Sequence, residues 1–191
     1  MIHNSISTAE VNNFGQDSKF TLVAPNLWWV YDAFDNSTLE WMQGIYVNMN
    51  NTFEVSRPHN RLLLANGADN QTLQEIGRML IPDLEKILSQ QLNLMVSKFW
   101  LDLPNFDCQP HGDSAEIIVT LQIYVDVKHL KNHKSRLYGA EFMHVEPPIE
   151  APIVENCGYL NLNTDRKLHR VVGGYGTRQS VTFQYNLATD S

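Results

Sequence analysis

The chain has 191 residues, 43% of them apolar, 10% aromatic and 18% charged. That length suits one domain whose core needs no disulfide framework. Fourteen Lys and Arg against 21 Asp and Glu give a formal charge of −7. A protein built around a phosphate backbone shows the opposite balance or a dense basic stripe, so nucleic acid is demoted, leaving only the local patch Lys128–Lys134.

The start, Met-Ile-His-Asn-Ser-Ile-Ser, lacks the basic and apolar regions of a secretory signal, and runs such as Leu62–Ala65 are far too short to span a bilayer. The expectation is a cytoplasmic protein without a membrane segment. Cys108 and Cys157 form neither a framework nor a zinc-type pair and read as two reduced thiols, with a disulfide between them as the alternative. Asn-x-Ser/Thr matches at Asn36, Asn50 and Asn70 read as chance in an Asn-rich chain.

Residues 1–18 are polar and aperiodic. From Lys19 to Phe34 the β-branched and aromatic residues predict one or two strands broken at Pro25-Asn26. Asn36-Ser37-Thr38 with Glu40 resembles a capping box opening a helix to about Asn48. Thr72 to Leu92 carries Leu73, Ile76, Met79, Leu80, Leu84, Ile87, Leu88 and Leu92 at helical spacing, with Pro82 a point of bending or restart.

After Leu94 the pattern turns to strands: Met95–Leu101, Ile117–Val127, Ala140–Val145, Tyr159–Asn163, Leu168–Val172 and Ser180–Tyr185. Thr120, Gln122 and Tyr124 alternate with Val119, Leu121, Ile123 and Val125, which gives one apolar and one polar face. Helices first and antiparallel strands second predict a mainly β protein with supporting α. The expected architecture is a jelly-roll or cupin-like β-sandwich packed against N-terminal helices.

The seven histidines fall into groups. His3 and His59 read as solvated, and His144 as structural or rim-facing. His129 and His133 sit at helical i, i+4 spacing, but Lys128, Lys131 and Lys134 around them repel a cation. His111-Gly112-Asp113 precedes a strand, and two-residue spacing puts both side chains on one face of an extended segment. Chance supplies about 0.4 His-x-Asp pairs in such a chain, so the pair matters for its company. His169 follows 58 residues later, and two imidazoles with one carboxylate form the facial set suited to non-haem Fe(II). Nine residues beyond His169 stands Arg178. Directed into a barrel, its guanidinium calls for a carboxylate partner.

These residues, with Val119–Asp126, Gly139-Ala140-Glu141-Phe142, Leu168-His169-Arg170-Val171 and Gly176–Thr182, resemble the Fe(II)- and 2-oxoglutarate-dependent oxygenases, most closely their prolyl-hydroxylase-like branch. The resemblance covers roughly Met95 to Tyr185. It implies a double-stranded β-helix within one oxygenase domain spanning 1–191, with 1–94 as strands and supporting helices and 95–187 as catalytic core. It implies that His111, Asp113 and His169 bind iron, that Arg178 anchors the distal carboxylate of 2-oxoglutarate, and that the Tyr124 hydroxyl reaches the same carboxylate. Thr120, Gln122, Ser180 and Thr182 are further expected cosubstrate contacts. O₂ is consumed, ascorbate is a candidate reductant, and the intact Asp113 favours hydroxylation over halogenation. The strand Phe99-Trp100-Leu101 departs from the branch in lacking a tyrosine.

The expected substrate is a prolyl or other side chain of a peptide or protein, or a free amino acid or other small molecule. The acidic, Pro-rich segment Glu146–Glu155 reads either as a stiff connection or as a rim loop favouring basic or neutral substrates. Trp28-Trp29 and residues 36–51 are candidates for a second wall. The rival class is a cupin-like metal-binding β-sandwich serving as a binding module or isomerase, which has no need of an inward Arg178.

Overall fold

In a computed structural model of the protein the described residues are 19–48, 51–57, 60–65, 70–129, 140–163, 168–171 and 176–188. The predicted polar start, His3, His59, His133, Asn50 and most of the Lys128–Lys134 patch lie outside them. The backbone at His129 belongs to a strand rather than to a short helix.

Among the described residues, twelve strands and three helices follow in chain order. β1 (Phe20–Ala24) and β2 (Leu27–Val30) form a hairpin, and α1 (Asn36–Val47) follows. Its cap is Asp35, whose side chain accepts from the Thr38 amide at 2.8 Å, so the cap lies one residue before the predicted box. β3 (Phe53–Arg57) and β4 (Arg61–Leu64) form a second hairpin that sequence reading passed over. Asn60, with φ 60°, takes the left-handed conformation in its turn, one that Asn tolerates well. The predicted long helix is two: α2 (Gln71–Met79), capped by Asn70, and α3 (Ile81–Leu88), which restarts at Pro82 in its first turn. Leu92 opens the next strand instead of closing the helix.

The remaining strands are β5 (Leu92–Asp102), β6 (Cys108–His111), β7 (Val119–His129), β8 (Ala140–Phe142), β9 (Ile149–Glu150), β10 (Cys157–Leu162), β11 (His169–Val171) and β12 (Gly176–Leu187). They build a large sheet ordered β1-β2-β10-β7-β12-β5-β4-β3 and a small one ordered β6-β11-β8-β9. Every pairing is antiparallel. From β5 onward the chain passes back and forth between the sheets, the winding expected of a double-stranded β-helix. Gly158 permits one close approach: a Cβ there would lie 1.9 Å from the Gln122 carbonyl oxygen of β7.

The predicted two-faced strand is present. Val119, Leu121, Ile123 and Val125 join Phe183, Val181 and Leu160 in the main core, together with Leu39 and Met42 of α1 and Leu73, Leu84 and Leu88 of α2 and α3. α1 therefore lies on the apolar side of the large sheet and forms no second wall beside its polar face. Trp28 enters the same core, whereas Trp29 packs on Phe142 of the small sheet, with ring centroids 5.9 Å apart. No helix among the described residues is long and apolar enough to cross a membrane.

Candidate active site

Antiparallel pairing in the small sheet sets His111 of β6 directly opposite His169 of β11, with ring centroids 4.5 Å apart. Asp113 follows two residues after His111, where the chain leaves β6 for the large sheet. One ligand atom from each of His111, Asp113 and His169 lies within 4.8 Å of the others, a group that could hold a metal ion.

Neighbouring residues orient this group. His111 Nδ1 lies 2.9 Å from the Gln109 carbonyl oxygen. A carbonyl only accepts, so Nδ1 carries the proton and the Nε2 lone pair is presented to a metal. Asp113 Oδ2 accepts from Thr120 Oγ1 at 2.8 Å and from Asn163 Nδ2 at 2.9 Å. Asn163 Oδ1 in turn accepts from Asn161 Nδ2. Both donors meet Oδ2, which leaves Oδ1 as the edge available to a metal. Asn161 and Asn163 were missed from the sequence because they read as ordinary strand-end residues. Thr120, expected at the cosubstrate, spends its hydroxyl on Asp113.

The polar face of the large sheet is turned toward this group and the small sheet. Gln122 Oε1 accepts from the Tyr159 hydroxyl at 3.1 Å, and Gln122 lies 3.4 Å from the hydroxyls of both Ser180 and Thr182. Burial pushes the Tyr124 phenol above its ordinary pKa, with the Arg178 charge pulling partly back. Burial also raises Tyr159 well above that range, reinforced by Tyr124 and Asp113. Both hydroxyls remain protonated donors.

Arg178 is inward and 4% exposed, as its spacing suggested. Its Nη2 lies 3.1 Å from Oδ2 of Asp102, a carboxylate on β5 that sequence reading passed over as the end of an apolar run. Arg61 of β4, also missed, donates to the other oxygen of Asp102 through Nε at 2.6 Å. Cys108 and Cys157 are separate buried thiols. The Cys108 Sγ lies 3.5 Å from His111 Nδ1. The Glu146–Glu155 segment holds β9, which pairs with β8, and Glu155 is turned to Gln43 of α1, away from the small sheet. Glu141 forms an ion pair with Arg170 across β8 and β11.

No protein-family model matches the chain, and no curated protein matches it. Solved structures do. A prolyl hydroxylase in complex with a hypoxia inducible factor oxygen degradation domain peptide fragment, from Trichoplax adhaerens, superposes with a TM-score of 0.65 at 12% identity, covering 84% of this chain and 83% of that one. An oxidoreductase of the 2OG-Fe(II) oxygenase family from Burkholderia pseudomallei gives 0.61 at 14% identity, covering 85% and 84%. HygX from Streptomyces hygroscopicus, with nickel, 2-oxoglutarate and hygromycin B bound, gives 0.62 at 9% identity, covering 87% and 84%. At such identities the likeness is one of fold. That fold is the double-stranded β-helix of the 2-oxoglutarate/Fe(II) oxygenases, of the type seen in prolyl hydroxylases.

Proposed function

We propose that the protein is an Fe(II)- and 2-oxoglutarate-dependent dioxygenase that hydroxylates a C–H bond of a peptide side chain, a free amino acid or another small molecule. The observation that carries this reading is the convergence of His111, Asp113 and His169 within 4.8 Å, in a fold whose solved examples include oxygenases. Two neutral imidazoles and a carboxylate fit Fe(II) by donor chemistry and leave open positions. When bound, iron and 2-oxoglutarate supply the oxidising chemistry: O₂ is consumed, one oxygen atom enters the substrate C–H bond and the other enters succinate, and CO₂ is released.

The chain's own residues do the rest. Gln109 holds the His111 tautomer, while Thr120 and Asn163 fix the Asp113 carboxylate. Arg178 and the protonated Tyr124 receive the distal carboxylate of the cosubstrate by charge-assisted bonds. Phe142, with its ring 5.9 Å from His169, and the buried Tyr159 keep water from the metal side of the cleft. Ascorbate would serve as an external reductant.

Purified protein given Fe(II), 2-oxoglutarate and O₂ is expected to form succinate, faster once a substrate is supplied. Asp113→Ala and Arg178→Met should each lower that turnover at least a hundredfold. Unchanged turnover in both variants would sink the assignment.

One observation favours a second reading, a metal-binding β-sandwich acting as a binding module or isomerase. Asp102 already meets Arg178, so the inward guanidinium does not by itself demand a ligand. Binding of 2-oxoglutarate to the metal-loaded protein separates the two.

A further inference from the structure

Arg61, Asp102 and Arg178 form a row across three neighbouring strands. Arg61 of β4 stands opposite Asp102 of β5, and Asp102 stands opposite Arg178 of β12. The side chains are 11%, 3% and 4% exposed, so the row is buried. Arg61 grips Asp102 with Nε 2.6 Å from Oδ1 and Nη2 3.4 Å from Oδ2, while Arg178 Nη2 reaches that same Oδ2 at 3.1 Å. Two guanidiniums thus converge on one oxygen.

Aromatic rings fix the arrangement further. The Arg61 Cζ lies 4.4 Å from the Trp100 ring centroid and 4.6 Å from that of Phe106, and the Arg178 Cζ lies 5.8 Å from Phe106. Stacking of this kind suits a guanidinium and holds it in one plane. On the other side of Arg178, Tyr124 of β7 stands opposite Ser180, two residues along β12 and on the same face, so the row ends beside the proposed cosubstrate pocket. Within the row, two cations share a single anion. An incoming carboxylate at Arg178 would therefore meet the field of both guanidiniums, in a water-poor setting where such fields act strongly.

We propose that Arg61 is a second cation of the carboxylate-binding site, held beside Arg178 by Asp102, and that it selects 2-oxo acids bearing a second carboxylate. This rests on the cosubstrate reading above. Neither residue stands at the metal group, so the effect is on the ligand's far end.

The test is calorimetric titration of the full chain loaded with Ni(II), which replaces Fe(II) without turnover. The two ligands are 2-oxoglutarate and 2-oxovalerate, which has the same carbon chain without the distal carboxylate. The wild type should prefer 2-oxoglutarate. Arg61→Gln should narrow that preference by about tenfold or more, the effect of removing one nearby charge in a water-poor setting, and leave 2-oxovalerate affinity unchanged. Arg61→Lys should fall between, since an ammonium cannot keep both bonds to Asp102. Equal weakening of both ligands, or no change in the preference, would overturn the role of Arg61. Should Arg61→Gln not fold, Arg61→Lys decides alone, and a preference equal to wild type overturns the proposal. Absence of any preference in the wild type would instead defeat the cosubstrate reading on which the proposal stands.

Discussion

Val119, Leu121, Ile123 and Val125 on one face of β7, and Thr120, Gln122 and Tyr124 on the other, are all buried, with no residue above 8% exposed. They differ in what satisfies the burial. The first set needs only matching apolar volume, which the three helices supply. The second set needs a partner for each polar atom, because an unmet buried donor or acceptor is destabilising. Asp113, Tyr159, Ser180 and Thr182 meet that need for Thr120 and Gln122. A face this polar and this buried is poor value as mere scaffolding, and its hydrogen bonds run to the metal-type group. The contrast separates a face that holds the fold from a face that carries the candidate site.

Two substitutions test that separation. Phe183→Ala, on the apolar face beside Phe34 and α2, removes a fully buried ring and should lower stability by about 3–5 kcal/mol, read by urea denaturation. Metal affinity of the protein that remains folded should not change. A parallel loss of metal affinity would show that the two faces are coupled. Asn163→Ala acts on the other side. It deletes one of the two donors on Asp113 and the acceptor of the buried Asn161 amide, so metal affinity should fall by about ten- to a hundredfold in a chelator competition while the urea midpoint falls less than in Phe183→Ala. An unchanged affinity would mean that the Asp113 carboxylate needs no such support.

The contrast between faces also explains what was legible in the sequence. The alternation in β7 is a local pattern, and so is the leucine stripe of α2 and α3. His111, Asp113, His169 and Arg178 stood out because their spacing matches a known order of ligands, and the structure brings the first three together. Asp102 and Arg61 were illegible for a physical reason. A charged residue at the end of an apolar run reads as a solvated boundary, and only cross-strand register shows that Arg61, Asp102 and Arg178 are opposed. The β3–β4 hairpin was nearer to hand: Phe53-Glu54-Val55-Ser56-Arg57 alternates, and Pro58-His59-Asn60 marks a turn. Strands as short as β6 and β9 exist because a partner pairs with them, which no local pattern records.

Tyr185→Phe probes the apolar face more gently. α2 docks closely on the sheet at Gly77, where a Cβ would lie 2.8 Å from Phe183 Cδ1, and the Tyr185 hydroxyl donates to the Gly77 carbonyl at 2.9 Å. That carbonyl lies in the last turn of α2, where intrahelical partners run out. Losing the bond should lower stability by about 1 kcal/mol at neutral pH. The direction changes in alkali. Burial holds the Tyr185 phenol far above its ordinary 10.0, so the native state keeps the proton that the unfolded chain releases as pH rises past that value. The unfolded state then binds fewer protons, and wild-type stability falls from there upward. Phenylalanine has no proton to lose. The gap between variant and wild type in urea midpoint should therefore shrink between pH 7 and about pH 11, and then reverse. A gap that stays constant would mean that the hydroxyl is no more buried in the native state than in the unfolded one.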